Sequence, residues 1–175
     1  MQTTSILAEL LVIGCTALLW VIPILQKVTD GFCCDFLLSS KEIVISLALT
    51  YLLGILMNYV SDRLFNYFEK KYAKENGGNE IIKKFRSKIL LSSSSATTYM
   101  NTRRSIVRIM RASSCNFLIY AVIIALSVTN PFKQLPKMIS FTVVLGTCIL
   151  FLLGYIHTLI GYYKFLILTG EMIND

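Results

Sequence analysis

Positions 61–111 of this chain lie between two long apolar runs and hold twelve of its seventeen Lys and Arg residues. The other five are scattered: Lys27, Lys41, Lys133, Lys137 and Lys164. Loops rich in Lys and Arg resist translocation and stay on the cytoplasmic side of a membrane. If the flanking runs are spans, 61–111 is therefore a cytoplasmic segment. Crossing the hydrocarbon core takes about 20 mostly apolar residues, and four stretches qualify. They are 6–25, interrupted by Glu9; 43–60, free of charge; 112–132, whose strongly polar members are Ser113, Ser114, Asn116 and Asn130; and 138–163. A mean hydropathy of +0.65 agrees. A soluble helical bundle would need a charged face on each helix, and these runs lack one.

The expected fold is all-α: a single polytopic membrane domain with four transmembrane helices and a protruding basic cytoplasmic helical hairpin between helices 2 and 3. Four spans with the middle loop inside put both termini in the cytoplasm, which places the chain in the inner (cytoplasmic) membrane. Val12-Ile13-Gly14-Cys15 has the look of a lipoprotein cleavage box. A cleaved signal needs a basic start and a short core. Here no Lys or Arg precedes the box, Glu9 interrupts the core, and the run continues to Leu25. A retained helix is the expectation.

The connecting segments carry helix punctuation. Ser39-Ser40-Lys41-Glu42 has the spacing of a capping box, which opens the second helix at the outer surface. Nothing breaks that helix before Gly77-Gly78-Asn79. It should run well past the bilayer and end at the glycines, with Asn79 as a cap for the next helix over 80–91. The run Ser92 to Ser95 weakens the helix there, and 98–111 leads without a breaker into the third span. Asn130-Pro131 and Pro136 mark a short outer turn.

Polar residues inside the spans are the first functional candidates. The second helix carries Ser46, Thr50, Gly54, Asn58, Asp62 and Asn66 at four-residue steps. Each step drifts by about 40° on a helix of 3.6 residues per turn, so the row fans over a face wide enough to line an aqueous path. Ser46, Thr50, Asn58 and Asp62 are its pore candidates, against the alternative that small and hydroxylated residues gather at helix contacts. His157, the sole histidine, is a candidate gate, since an ionisable group inside a bilayer is costly. A neutral histidine bonded to a neighbouring helix is the competing reading. Ser140, Thr147, Gly154 and Gly161, at seven-residue spacing, form a close-packing stripe through which a homo-oligomer is expected.

The basic segment holds the second group. Arg104, Arg108 and Arg111 share one helical face next to the membrane, flanked by Arg103, and Glu9 of the first helix could pair with any of the three. With Lys83 and Lys84 they form a candidate surface for an anionic ligand or a soluble acidic partner; anchoring to anionic lipid headgroups is the alternative. Tyr67, Phe68 and Tyr72 lie among basic residues at helical spacing and read as packing, which argues against direct nucleic-acid binding.

Other chemistries lack their residues. Cys15, Cys115 and Cys148 fall in spans, where a free thiol acts as a small apolar group. Cys33 and Cys34 are adjacent in an outer loop, a strained arrangement for a mutual disulfide, though either could cross-link subunits. No cysteine spacing fits a metal site. There is no Gly-rich phosphate loop, no paired metal ligands and no serine elbow. An enzyme is therefore not expected, nor is a cofactor.

Thr102-Arg103-Arg104 ahead of a span, and Tyr155-Ile156-His157 leading to Leu168-Thr169 in the last helix, carry a resemblance. With the four-span layout, they make the chain similar to small membrane proteins of phage exclusion and antiphage defence, of the Rex-exclusion and Kiwa types. The basic segment is longer here than in the Rex type. The resemblance implies an ion-conducting or membrane-depolarising effector switched by a cytoplasmic partner, and because four spans are thin for a pore of their own, such an effector would be oligomeric. A non-conducting scaffold or sensor that recruits a soluble partner stays open beside it. So does a small transporter subunit, although transporters usually carry internal repeats and none is visible here.

The topology has a direct test. Reporter fusions at Lys74 and at both termini should report cytoplasmic locations. Cys33 should react with an impermeant thiol reagent in intact cells, and labelling only after lysis would reverse the assignment.

Overall fold

The computed structural model describes residues 2–28, 43–75, 78–92, 94–126 and 136–172. They form five helices: α1 (Gln2–Val28), α2 (Ile43–Glu75), α3 (Asn79–Ser92), α4 (Ser94–Ala125) and α5 (Lys137–Met172). No strand occurs among the described residues. α1, α2, α4 and α5 are long and apolar enough to cross a membrane, the architecture of a multi-pass membrane protein. The capping box at Ser39 and Glu42, Cys33 and Cys34, Gly77 and the turn at Asn130-Pro131 lie outside the described residues.

Cross-helix pairs give the directions. Leu10 meets Gly54 and Gly14 meets Thr50, so α1 and α2 are antiparallel. Glu9 pairs with Arg108 and Thr16 with Asn116, so α1 and α4 run parallel. Phe65 packs on Tyr155 and Tyr72 on Tyr163, so α2 and α5 run parallel as well. Met110 against Gly154 and Ser114 against Cys148 make α4 and α5 antiparallel. The long helices therefore alternate in direction along the chain. α4 is the central element, with 56% of its most apolar window buried against 28% or less in the other three. It contributes to all three core clusters: Val107 to the first, Ala112 and Cys115 to the second, Tyr120 and Ile124 to the third.

α2, α4 and α5 contain 33, 32 and 36 residues. At 1.5 Å per residue each is about 50 Å long, well beyond the hydrocarbon core of about 30 Å. The overhang is packed. Ala73 of α2, Ile89 of α3, Met100 of α4 and Leu166 of α5 are buried in one cluster. The apolar run of the fourth span ends near 163, yet α5 continues to Met172 because α3 covers its extension, with the Phe85 ring seated against Gly170. The segment 61–111 thus supplies three of four walls, and α5 supplies the last.

The turns follow their residues. Gly78 adopts φ 87°, a left-handed value that glycine takes at no steric cost. Its N–H returns to the Ala73 carbonyl at 2.9 Å, capping the end of α2. α3 closes at Ser92 and α4 opens at Ser94, within the serine run.

α1 and α2 cross at a pair of glycines. A Cβ at Gly14 would overlap the Thr50 carbonyl, and one at Gly54 would overlap the Leu10 carbonyl. Gly54→Ala should therefore force the helices apart and cost about 1–3 kcal/mol or more. Gly146→Ala, with nothing within 4 Å of its Cβ position, should be neutral or stabilising through helix propensity. Unfolding midpoints in mixed micelles distinguish the two, and equal effects would contradict the crossing.

Candidate anion-binding site at the basic end of the bundle

The arginine row of α4 fans out to three helices. Arg111, 2% exposed, turns to α2. Its Nη2 lies 2.9 Å from Asp62 Oδ1 and its Nη1 donates to Glu69 Oε1 at 2.7 Å. The Tyr155 hydroxyl of α5 donates to the same Glu69 oxygen at 3.2 Å. One guanidinium thereby ties α4 to α2 and, through Glu69, to α5. Arg108 turns to α1, where its Nε lies 3.0 Å from Oε1 of the buried Glu9. This is an ion contact without hydrogen-bond alignment, so both Glu9 carboxylate oxygens and Arg108 Nε lack a hydrogen-bonded partner. Arg111 Nε is likewise buried and unpartnered.

Around these pairs lies a cavity of about 190 Å³. α3 contributes Lys83 and Arg86, α4 contributes Arg104, Arg108 and Arg111, α2 contributes Asp62 and Glu69, and α5 contributes Tyr162 and Tyr163. Burial grades across it: Lys83 and Arg104 are exposed, Arg86 and Arg108 half-buried, Arg111 buried. Arg111 faces two carboxylates and Arg108 one. Among the described residues Lys83, Arg86 and Arg104 have no acidic partner, which leaves the site electropositive. Arg86, Arg104 and Arg108 also line a second opening, with Ile6 of α1 and Thr97, Asn101 and Ser105 of α4. Like charges held this close repel one another, and an anion between them relieves the repulsion.

The remaining basic candidates point elsewhere. Arg103 lies over the Tyr99 ring at 5.1 Å and donates from Nε to the Tyr99 hydroxyl at 2.9 Å. Lys84 is exposed and lines neither opening. Arg86 and Glu69 belong to the site without having been singled out by sequence, and Tyr155, named only within the last-helix motif, joins it through Glu69. Two signals were available: Glu69 stands seven residues after Asp62, on the same face of α2, and Arg86 stands three after Lys83.

The intramembrane polar residues are mostly turned to neighbouring helices. Asn116 Nδ2 donates to the Ile13 carbonyl at 3.1 Å and to Thr16 Oγ1 at 2.8 Å, while Trp20 Nε1 donates to Asn116 Oδ1 at 3.2 Å. Thr50 is buried at the α1 crossing, its hydroxyl donating to the Ser46 carbonyl at 2.7 Å. Asn58 keeps a buried, unpartnered Oδ1, as Ser113 keeps its Oγ. His157 is exposed on α5, and no hydrogen bond joins it to Asn58. On the small-residue stripe, Ser140 is buried, the Gly154 Cβ position meets Met110 Sδ at 3.3 Å, and that of Gly161 lies 4.0 Å from Arg103 Nη1. Thr147 bonds its own helix, donating to the Val143 carbonyl at 2.9 Å. Gly154 and Gly161 thus face α4 of the same chain. No group of three His, Cys, Asp or Glu side chains that could hold a metal occurs among the described residues.

Comparison with protein-family models, curated proteins and solved structures returns no match to this chain. Its function is therefore argued from the site itself.

The two carboxylates on Arg111 differ in environment, which sets unequal costs. Removing one member of a buried pair strands the other and costs about 3–5 kcal/mol, whereas exposed pairs contribute about 0–1 kcal/mol. The Asp62 side chain is 61% exposed and that of Arg111 3%. Arg111→Met should lower stability by several kcal/mol and Asp62→Asn by about 1 kcal/mol or less, read from unfolding in mixed micelles. Equal losses would mean that Arg111 is not the tie between helices.

Proposed function

We propose that this chain is an inner-membrane sensor that takes an anionic group into the cavity between α2, α3, α4 and α5 and transmits its occupancy to the bundle. The carrying observation is the set of three cations without acidic partners, Lys83, Arg86 and Arg104, lining one cavity with the paired Arg108 and Arg111. Charge-assisted hydrogen bonds from guanidinium to phosphate or carboxylate are the strong ones, and arginine presents them in a planar fork. The orientation rests on the clustered basic residues, which favour a cytoplasmic location for the cavity and both termini. Transmission follows from the partners. An anion that draws on Arg108 competes with Glu9 of α1, and one that draws on Arg111 competes with Asp62 and Glu69 of α2. Occupancy thus biases how both helices sit on α4.

The closing of Asn116 on α1, and of Thr50 into the α1 crossing, supports a packed bundle rather than a pore through one chain. The antiphage effector reading is compatible with the sensor, as its output stage, if several copies assemble.

Purified protein should gain thermal stability on adding inorganic phosphate or pyrophosphate, with the gain suppressed by salt as electrostatic binding requires. Arg86→Gln and Arg104→Gln should each weaken binding at least tenfold, about 1.4 kcal/mol. No stabilisation of the wild type by either anion would refute the sensor reading. Ion flux through reconstituted protein upon adding the anion would extend it to a ligand-gated pore.

A further inference from the structure

The second opening at the basic end differs from the cavity in what surrounds its arginines. It holds about 460 Å³, within the about 300–1,000 Å³ of ligand sites. Arg86, Arg104 and Arg108 line it together with Thr97, Asn101 and Ser105. Those last three are half-buried and recur at four-residue steps on α4, on the face that carries Arg104 and Arg108. Among the described residues no carboxylate lines the opening, and its apolar residues are Ile6 and Leu90.

The threonine protons at this opening are already committed. Thr97 Oγ1 donates to the Ile89 carbonyl at 3.2 Å. Thr98 and Thr102, which also line the opening, donate to the Ser94 and Thr98 carbonyls, each at 2.9 Å. A hydroxyl carries one donor and two acceptor lone pairs, so what these threonines still offer a ligand is lone pairs. The Asn101 amide offers both a carbonyl and N–H donors, and arginine offers donors alone. The Ser105 hydroxyl accepts from Arg108 Nη2 at 3.4 Å, which ties that guanidinium to the same face. Charged donors therefore stand beside a row of neutral acceptors. An inorganic anion satisfies the arginines and leaves the acceptors to water. An ammonium group suits the acceptors but meets three arginines and no carboxylate. Neutral hydroxyls next to an anionic group satisfy both.

We infer that the ligand of this site is a polyhydroxylated organic anion, of which a sugar phosphate is a simple example. Its anionic group sits on Arg86, Arg104 and Arg108, and its hydroxyls donate to Thr97, Thr98, Asn101 and Thr102. This rests on the anion-sensor reading and names the class of molecule that the sensor takes. The three arginines line the second opening as well as the cavity, so the assignment needs no passage between the two spaces. Arg108 also holds Glu9 of α1, so a ligand seated here competes for the contact between α1 and α4. Two apolar residues give no bed for an acyl chain, which makes the ligand a soluble molecule rather than a lipid headgroup.

The test sets glucose 6-phosphate against three probes on purified protein in neutral detergent. Propyl phosphate has the anionic group without hydroxyls, glucose has the hydroxyls without charge, and phosphatidylglycerol carries a hydroxylated phosphate on a lipid. Affinities are read from the concentration dependence of thermal stabilisation. Glucose 6-phosphate should bind about tenfold or more tightly than each of the three, the effect of several hydrogen bonds lost together. Thr102→Val, which keeps the side chain's shape and removes the oxygen, and Asn101→Leu should each weaken glucose 6-phosphate about threefold or more. Both variants should bind propyl phosphate as the wild type does, and that retained binding certifies their fold. Arg86→Gln should weaken both phosphomonoesters. If propyl phosphate matches glucose 6-phosphate, or Thr102→Val and Asn101→Leu leave the sugar phosphate unaffected, the hydroxyl subsite is wrong and the plain anion reading stands. If phosphatidylglycerol binds as tightly as glucose 6-phosphate, the soluble assignment is wrong. If neither phosphomonoester nor inorganic phosphate binds, this inference and the sensor reading both fall.

Discussion

A guanidinium with 2% exposure sits at the level where apolar spans give way to the basic end, and the rest of the bundle is arranged around it. Arg111 remains charged in any protein environment, so burial obliges the chain to supply anions. α2 supplies two, and one of them collects a hydroxyl from α5. The placement of α2 and α5 against α4 is thereby set by one side chain. Apolar packing alone would permit rotation and sliding of such helices, because lipid tails are as apolar as the side chains they would replace. The ion pairs and the Asn116 amide remove that freedom: Asn116 uses both its donors and its acceptor against α1. Polar groups specify the register, and small residues at the Gly14 and Gly54 crossing let the backbones come close enough to be specified.

The helices were legible because hydropathy and breakers act locally. Four spans could be counted from apolar length, the Gly78 turn from its residue, and the break at Ser92 to Ser94 from the serine run. Side-chain partners were legible only in part. Periodicity places Arg104, Arg108 and Arg111 on one face, but it does not say which helix stands opposite. The row meets α1 at Arg108 and α2 at Arg111, a split that depends on how the helices cross. Glu9 was recognisable as a partner for the row because a carboxylate inside a span needs a cation. Glu69 was not, since on a long charged overhang it resembles any solvated acid. Arg86 escaped notice for the same reason, while Lys84, two positions before it, lines neither opening.

The overhang changes how the basic segment is understood. Twelve clustered cations could be a loose electrostatic tether. Here the segment is bracketed by α5, which extends past its apolar run to meet α3, with Ile89, Met100 and Leu166 buried between them. Charges fixed on a packed scaffold cannot spread to lower their mutual repulsion. They hold a persistent positive potential over a defined volume.

The tie between α1 and α4 has a consequence for biosynthesis. Thr16 and Asn116 are 100 residues apart, and Glu9 and Arg108 are separated by a similar length of chain. At about 5–20 residues per second, the first helix leaves the ribosome roughly 5–20 s before the arginine that neutralises its carboxylate. During that interval the only cation among the described residues of the first helix is Lys27, at its far end, and a carboxylate without a near partner is costly inside a bilayer. Arrival of α4 supplies Arg108 to the carboxylate. A nascent chain that stops short of α4 is left with an uncompensated acid in its first helix, so the length of chain between the two partners sets how long the first helix waits for its counter-ion.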